Sequence, residues 1–330
     1  MTALSLIDES VPFLDFVAQQ GAVVGERPFV THGLTFKNRV GLAGGADKNG
    51  IASRAFAALG FGFVEVGTVT AEAQLENPPP NMFRLPKDRA LINRLGFPNE
   101  GARALRERLQ KKPTPLDVPL AISIGKSRSV DASDVEAVLA DYARSFAAVR
   151  GAADFVIVNV SSPNTANLRS LQTEDVAARL GEALVAANDE RESDEGARPI
   201  LLKIAPDLED EVAARLSKKM IEVGFSGIVA TNTTTRREPL ATDAKEVEAM
   251  GQGGLSGAPL HARAKELVTV VRSAIGKDAL LIGVGGIGSA EDALAMRGAG
   301  ADLVQIYTGL VYEGPALIRA IREAFAARDW

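Results

Sequence analysis

The sequence predicts an α/β protein, a (β/α)8 TIM barrel that follows a short N-terminal extension. Short apolar runs rich in β-branched residues recur along the chain, and a segment with helical periodicity follows most of them. Continuous apolar runs of this kind are typical of parallel strands that are buried on both faces. Eight such alternations within 330 residues favour a closed barrel over an open doubly wound sheet.

The predicted elements alternate from the first strand to the end of the chain. The strands are 39–43, 62–67, 118–124, 154–160, 199–204, 226–231, 280–284 and 302–306. The helices are 136–150, 174–187, 208–223, 259–274, 289–298 and 315–327, and most open with an Asp, Ser, Pro or Glu that suits a helix start. Two connections, 71–100 and 232–258, are longer than a barrel needs and follow strands at the end where barrels carry active sites. We expect both connections to be functional.

Residues 1–31 precede the first strand and form the predicted extension, which leaves 32–330 for the barrel. Apolar residues recur in the extension at helical spacing, namely Leu4, Ile7, Val11, Leu14 and Ala18. This spacing predicts a short amphipathic helix. A structural strap packed on the bottom of the barrel explains the same pattern, and both interpretations stay open.

The composition excludes several classes of function. A net charge of −5 with one Trp and three Tyr provides no basic, aromatic surface for nucleic acid. No uncharged apolar run approaches the roughly 18 residues that a membrane span needs. The chain has no cysteine and only two histidines, His32 and His261. That count removes disulfides, thiolate nucleophiles and nearly all zinc sites, so we expect no metal and assign acid–base work to other residues.

The fourth predicted strand ends in VNVSSPNT, residues 158–165, which carries more polar chemistry than a turn needs. In a (β/α)8 barrel the carboxyl ends of the strands form the active site. The amides and hydroxyls expected there suit a small planar substrate with amide or carboxylate edges, and they are Asn93, Asn159, Asn164, Asn232 and Thr233. Lys48 supplies the positive charge that a substrate carboxylate requires.

The last two strands end in glycine-rich stretches, GVGGIGS at 283–289 and YTGLVYEGP at 307–315. Gly285 and Gly286 let backbone N–H groups approach an anion closely, and a short helix predicted after the eighth strand points its first amides at the same place. Barrels commonly hold phosphate at these two loops. The sequence therefore predicts a phosphate site, to which GGLSG at 253–257 adds a backbone contact.

Lys203 lies inside the apolar strand LLKIAP, where an unpaired ammonium is costly. One interpretation is a buried ion pair. The other is a fixed positive charge beside a cofactor that becomes anionic on reduction, as the N1 edge of a flavin does. Together with a phosphate site, the second interpretation indicates FMN.

In order, the chain carries the motifs VGLAGGADKNG, EVGTVT, LINRLGF, ISIGKS, VNVSSPNTANLRSLQ, LLKIAPDL, VATNTT, GGLSG, IGVGGIG and VQIYTG. In this order and spacing they resemble the class 2 dihydroorotate dehydrogenases, a family of FMN enzymes of pyrimidine synthesis. The resemblance runs from about Gly33 to about Phe325. Because so many motifs match in sequence order, the resemblance is specific.

The resemblance implies oxidation of dihydroorotate to orotate, in which a base takes a C5 proton, FMN takes a C6 hydride and a quinone reoxidises the flavin. It assigns the base to Ser162, the serine directly before Pro163, since class 2 enzymes use a serine where class 1 enzymes use a cysteine. The absence of cysteine independently excludes the class 1 chemistry. A serine is a weak base, and the expected activation is through Thr165 and an ordered water in a closed pocket.

The resemblance also assigns binding residues. Those for FMN are Ala43, Gly44, Gly45, Ala46, Asp47, Thr68, Ser123, Asn159, Lys203, Thr231, Gly257, Gly286, Tyr307 and Thr308. Those for dihydroorotate are Lys48, Asn93, Arg94, Leu95, Gly96, Phe97, Asn159, Asn164, Asn232 and Thr233. The loop 93–97 lies in the long connection after the second strand, where a lid belongs.

Two features depart from the family pattern. Ser123 stands where the family usually has asparagine, and the N-terminal extension is shorter than the two helices that form the quinone tunnel of class 2 enzymes. The resemblance implies peripheral attachment to the cytoplasmic side of the cell membrane through this extension, or a cytoplasmic location if the extension does not dock. Two other functions stay open: a non-redox, phosphate-binding isomerase or lyase, and a flavin-binding paralogue with an altered substrate.

Overall fold

Eight parallel strands close into a barrel in this computed structural model, which describes Leu14 and residues 21–112, 116–165, 167–189 and 196–330. The strands are β1 (Phe29–Thr31), β2 (Leu34–Phe36), β3 (Val40–Asp47), β4 (Phe63–Val69), β5 (Met82–Leu85), β6 (Ala90–Asn93), β7 (Leu120–Ile124), β8 (Phe155–Asn159), β9 (Ile200–Ile204), β10 (Gly227–Ala230), β11 (Gly254–Gly257), β12 (Leu280–Val284) and β13 (Leu303–Ile306). The barrel runs β3, β4, β7, β8, β9, β10, β12 and β13, and β13 pairs with β3 to close it. All eight predicted strands and the predicted fold class are confirmed.

Helices cover the outside of the barrel. They are α1 (Ser53–Ala58), α2 (Ala102–Gln110), α3 (Val135–Val149), α4 (Glu174–Asp189), α5 (Asp210–Val223), α6 (Ala244–Met250), α7 (His261–Ile275), α8 (Ala290–Gly298), α9 (Thr308–Glu313) and α10 (Ala316–Ala326). The six predicted long helices are confirmed as α3, α4, α5, α7, α8 and α10, and α9 is the short helix expected after the last strand. Periodicity did not predict α1, α2 and α6, because helices of six, nine and seven residues are too short to show a clear helical repeat.

The bottom of the barrel is closed by a hairpin and an aromatic cluster. β1 pairs with β2, and Phe36 at the end of β2 is fully buried inside the barrel. The Phe36 ring lies 5.4 Å from that of Phe63 and 6.0 Å from that of Phe155, both edge-on. Gly41 makes room for this cluster, since a Cβ there would lie 2.2 Å from the Phe63 ring. The filled bottom leaves the opposite end of the barrel for ligands.

The two long connections meet above the barrel as an antiparallel sheet. β6 pairs with β5 on one side and with β11 on the other, so the connection after β4 joins the connection after β10. Leu85, Ile92 and Leu255 form a separate apolar cluster on the outer face of this sheet, together with Val247 of α6. The connections are therefore an ordered roof over the carboxyl ends of the barrel strands.

The predicted amphipathic helix of the extension lies outside the described residues apart from Leu14, which is buried against the core. From Gly21 onward the extension is held to the last helix. Arg322 of α10 donates to both carboxylate oxygens of Glu26 at 2.7 Å and to the Gly21 carbonyl at 2.8 Å. The division into 1–31 and 32–330 stays a prediction. No helix in the described part of the chain is long and apolar enough to cross a membrane.

Candidate active site

A deep cavity opens where the barrel strands end under the roof. The space between its walls, including the part open to solvent, is about 1100 Å³. Its walls come from every barrel strand end except that of β7, and from β5, β6 and β11 of the roof. Because the strands are parallel, their carboxyl ends all lie at this end of the barrel.

Most of the residues assigned from the sequence line this cavity. They are Ala43, Gly44, Gly45, Lys48, Thr68, Asn93, Leu95, Gly96, Phe97, Asn159, Ser162, Asn164, Lys203, Thr231, Asn232, Thr233, Gly257, Gly286, Tyr307 and Thr308. The lining also contains residues that were not expected from the sequence, namely Met82, Leu91, Ser256, Leu260, Val284, Ile287, Gln305, Ile306 and Gly309. Most of these are apolar wall residues, which the sequence cannot distinguish from core.

Four assigned residues do not line the cavity: Ala46, Asp47, Ser123 and Arg94. The Asp47 carboxylate accepts hydrogen bonds from the backbone N–H groups of Ile51 and Ala52 at 2.8 and 2.9 Å, and so shapes the loop before α1. Arg94 points outward, where its guanidinium lies 5.0 Å from the Phe83 ring centre. Ser123 lies behind the cavity wall.

The Ser123 hydroxyl reaches the cavity only through Thr68. Its Oγ lies 2.9 Å from Thr68 Oγ1, which also accepts a 2.9 Å hydrogen bond from Asn159 Nδ2. Both hydroxyls are buried. Ser123 therefore supports two lining side chains, and its direct contact with a cofactor stays a prediction.

Asn159 is the centre of a hydrogen-bond network at the end of β8. Its Oδ1 accepts from Asn232 Nδ2 at 3.1 Å and from Ser161 Oγ at 3.1 Å. Asn232 Nδ2 also donates to Ser161 Oγ at 3.0 Å. Tyr142 of α3 fixes the strand from behind, because its hydroxyl donates to the Asn159 carbonyl at 2.9 Å. These bonds hold two predicted substrate amides in one fixed arrangement.

Ser162 lies in the cavity wall with its side chain almost fully buried. Its Oγ accepts a 3.2 Å hydrogen bond from the backbone N–H of Asn164, whose side chain donates to Asn93 Oδ1 at 3.0 Å. In the described part of the chain, no carboxylate or histidine hydrogen-bonds to this hydroxyl. Thr165, which we expected to assist it, lines a separate cleft with Lys126.

An ion pair that the sequence did not indicate braces the Ser162 loop. Arg169 donates to Asp207 Oδ2 at 2.6 Å, to the Ser161 carbonyl at 3.1 Å and to the Thr233 carbonyl at 2.9 Å. Burial raises the pKa of Asp207, but hydrogen bonds from Thr234 and Thr235 and the Arg169 charge outweigh it and lower that pKa below its usual value. One guanidinium therefore ties together the loops that carry Ser162 and Thr233.

Lys48 is the cation expected to meet a substrate carboxylate. Its Nζ donates to the Gly45 carbonyl at 2.8 Å, and the residue lines the cavity. Burial lowers the pKa of Lys48, while the charges of Asp47 and Glu76 oppose that change. A carboxylate bound beside it would stabilise the ammonium form, so the site is suited to an anionic substrate.

Lys203 forms an ion pair at the floor of the cavity. Its Nζ lies 3.3 and 3.4 Å from the two carboxylate oxygens of Glu65, which has no exposed surface. Gln305 Nε2 donates to Glu65 Oε2 at 2.8 Å. The ion-pair interpretation of Lys203 is therefore confirmed, while its place beside a cofactor stays a prediction. Glu65 and Gln305 were not expected from the sequence, although each is a polar residue in an apolar strand, as Lys203 is.

The opposite side of the cavity is built from glycines and suits a phosphate group. Gly257 and Gly286 have φ of +103° and +67°, and a Cβ on Gly286 would lie 2.6 Å from the His261 backbone nitrogen. Only glycine fits this backbone without strain. Thr308 Oγ1 donates to Ser256 Oγ at 2.8 Å, which adds hydroxyls beside these loops. Burial raises the pKa of Tyr307, so its hydroxyl stays a hydrogen-bond donor.

A polar atom at the floor supports the fit of the FMN expected from the resemblance. Gln305 Oε1 is buried and has no hydrogen-bond partner in the described ranges. A buried acceptor of this kind is costly unless a ligand donates to it, and a flavin ring carries an N–H group. With the glycine loops on one side and Lys203 on the floor, the lining has donors and acceptors for both ends of FMN.

Comparisons with known proteins identify relatives across nearly the whole chain. A family model described as dihydroorotate dehydrogenase matches residues 30–328. A protein of Clavibacter sepedonicus named dihydroorotate dehydrogenase (quinone) is 47% identical over 297 residues, which is 90% of this chain and 83% of the relative. A protein of Chloroflexus aurantiacus with the same name is 48% identical over 295 residues, 88% of this chain and 80% of the relative.

Solved structures share the same architecture. The crystal structure of DHODH from Eimeria tenella in complex with ferulenol matches with a TM-score of 0.84 and 32% sequence identity, over 97% of this chain and 90% of that one. A ligand-free structure of the Eimeria tenella enzyme also matches with a TM-score of 0.84, at 33% identity, over 95% of this chain and 92% of that one.

Proposed function

This chain belongs to the dihydroorotate dehydrogenase family and oxidises dihydroorotate to orotate in pyrimidine biosynthesis, and we propose that it does so with FMN, a quinone and Ser162 as the base. The assignment of residues rests on one observation: Ser162, the amides, Lys48 and the glycine loops line the same cavity. Bound FMN would accept the C6 hydride and pass both electrons to the quinone.

The chain's own residues bind the substrate and move its proton. Lys48 binds the carboxylate of dihydroorotate through charge and hydrogen bonding. Asn159, Asn164 and Asn232 bind the amide edges of the ring, held in place by the hydrogen bonds among them and Asn93. Ser162 Oγ takes the C5 proton, and an ordered water in the closed pocket takes the proton of its hydroxyl.

The surroundings of Ser162 support this role in two ways. The hydroxyl is buried in the wall of a roofed cavity, so little water competes for the C5 proton. The Arg169–Asp207 pair braces its loop, which keeps the oxygen fixed relative to the bound ring. A positioned group of this kind contributes about 10²- to 10⁴-fold to the rate of proton transfer.

Purified protein should be yellow and should release FMN, at about one molecule per chain, when it is denatured. The expected measurement is the visible absorbance of the native protein and chromatography of the released flavin. This result separates our proposal from the non-redox isomerase or lyase, which needs only the phosphate loops. Colourless protein that does not bind added FMN would contradict the redox function.

We further propose that the segment before Gly21 docks on the membrane and gives the quinone access to the flavin. Its apolar residues recur at the spacing of an amphipathic helix, and the relatives are named as quinone enzymes. A variant that lacks residues 2–20 should lose most of its co-sedimentation with vesicles of phosphatidylethanolamine and phosphatidylglycerol. It should keep its FMN, because Glu26 and its bonds to Arg322 remain.

The deletion stops at residue 20 so that Glu26 stays in the chain. Removal of residues 1–28 would also remove Glu26 and leave the buried Arg322 charge without its carboxylate. A loss of co-sedimentation could then result from a less stable protein and not from the loss of membrane docking. If the full chain and the 2–20 deletion co-sediment with vesicles equally, or if neither co-sediments, the segment is a structural strap and not a membrane anchor.

A further inference from the structure

Three polar residues at the floor of the cavity come from three different barrel strands. Glu65 lies in β4, Lys203 in β9 and Gln305 in β13, and all three are buried. Strand pairing places Lys203 level with Asn159 of β8, so the lysine lies beside one of the predicted substrate amides. The roles assigned above to Lys203 and Gln305 leave Glu65 without one.

Glu65 is held in place from both sides. Lys203 Nζ lies within 3.4 Å of both its oxygens, and Gln305 Nε2 donates to Oε2 at 2.8 Å and to the Leu42 carbonyl at 3.3 Å. The Glu65 carboxylate lies directly behind Gly44, because a Cβ there would be 2.2 Å from Oε1. Gly44 lines the cavity, so one residue of backbone separates the carboxylate from the ligand space.

This arrangement changes the field that Lys203 produces. A lone buried ammonium would act on a nearby ligand as a full positive charge in a low-dielectric environment. A carboxylate about 3.3 Å from it converts much of that charge into a dipole. The charge that a bound ring system experiences is therefore the balance between Lys203 and Glu65.

We propose that Glu65, fixed by Gln305, is a positioning residue that sets the position and the effective charge of Lys203 toward bound FMN, and thereby limits how strongly the site favours anionic reduced flavin. The inference rests on the proposed FMN function. It assigns Glu65 an influence on the flavin that acts through Lys203 and not by contact with substrate.

Sulfite binding to the holoenzyme tests this proposal without turnover. The sulfur electron pair of sulfite forms a bond to flavin N5, and the ring takes up the resulting negative charge at its N1 and O2 edge. Glu65→Gln keeps the size and hydrogen-bonding capacity but removes the negative charge, so the sulfite dissociation constant should fall by about tenfold. The equilibrium constant for two-electron reduction of the flavin should rise by a similar factor, or about 30 mV in midpoint potential.

Matched variants separate this effect from a general loss of structure. Glu65→Asp keeps the charge and should stay within about threefold of the parent. Glu26→Gln removes a carboxylate from the ion pair with Arg322, at a site apart from the cavity, and should leave sulfite affinity unchanged. In a Lys203→Met background, Glu65→Gln should have no further effect, since a fully buried carboxylate that has lost its ammonium partner takes up a proton and is then neutral, as Gln is.

The results that overturn the inference are distinct from those that overturn the function. If flavin-loaded Glu65→Gln has the sulfite affinity and the flavin midpoint potential of the parent, Glu65 is only a structural partner of Lys203. A shift of the same size in the Lys203→Met background would show that Glu65 acts independently of the lysine. If Glu65→Gln does not retain FMN, the comparison is between Lys203→Met and the double variant Lys203→Met with Glu65→Gln. Equal sulfite affinity of these two proteins supports the proposal, and unequal affinity rejects it. A parent protein that binds no FMN rejects the proposed function itself.

Discussion

Ser162→Ala should bind FMN normally but reduce it with dihydroorotate about 10²-fold or more slowly than the parent. Among the described residues the hydroxyl accepts a single hydrogen bond, from the Asn164 N–H at 3.2 Å, so its removal leaves the cavity intact. What is lost is the group that accepts the C5 proton, and a general base is worth about 10² to 10⁴ in rate. The measurement is the rate of flavin bleaching after anaerobic mixing at saturating dihydroorotate.

The matched control is Ser170→Ala, which removes an exposed hydroxyl just beyond the same loop. Ser170 Oγ donates to the Asn167 carbonyl at 2.6 Å and does not line the cavity. Its rate of flavin reduction should match that of the parent. Near-normal reduction by Ser162→Ala, at unchanged flavin content, would remove Ser162 from its role as base.

Lys203→Met should lower the free energy of unfolding by about 3 to 5 kcal/mol, the usual cost of leaving one member of a buried ion pair alone. Glu65 has no exposed surface and, within the described ranges, keeps one hydrogen bond, from Gln305, when the ammonium is gone. The variant should also bind FMN more weakly or reduce it more slowly, because the positive charge at the cavity floor is lost. Urea unfolding at fixed protein and FMN concentrations measures the first effect.

Two variants calibrate this result. Lys203→Met with Glu65→Gln removes both charges, so much of the lost stability should return. Lys37→Met breaks the exposed pair with Asp117, whose side chains are 53% and 66% exposed, and should cost less than about 1 kcal/mol. If Lys203→Met is as stable as Lys37→Met and its flavin behaves normally, the floor pair has neither the energetic nor the functional role that we assign to it.

The barrel could be predicted because its signal is repeated and local. Apolar strands of about five residues alternate with amphipathic helices, and each repeat supports the next. The roof carries no such signal. β11 is GLSG, with two glycines in four residues, and becomes a strand only because β6 provides a pairing edge. Strands of this kind have little strand propensity of their own and form by pairing with distant segments. A local sequence pattern therefore cannot predict them.

The candidate site followed the rule that chemistry lies where barrel strands end, which located Ser162 and the amides at one cavity. The rule does not say which way a side chain points. Ser123 lies on a strand of the correct motif but behind Thr68, and Arg94 belongs to a cavity loop but points outward over Phe83. Glu65 could have been found, because the reasoning about a charge in an apolar strand that singled out Lys203 applies equally to it.

Anaerobic mixing of the purified flavoprotein with dihydroorotate tests the central claim most directly. Our account predicts that the flavin absorbance bleaches as about one equivalent of orotate forms, and that added quinone restores the colour. A flavin that stays oxidised in the presence of excess dihydroorotate, in protein that retains its FMN, would contradict the account.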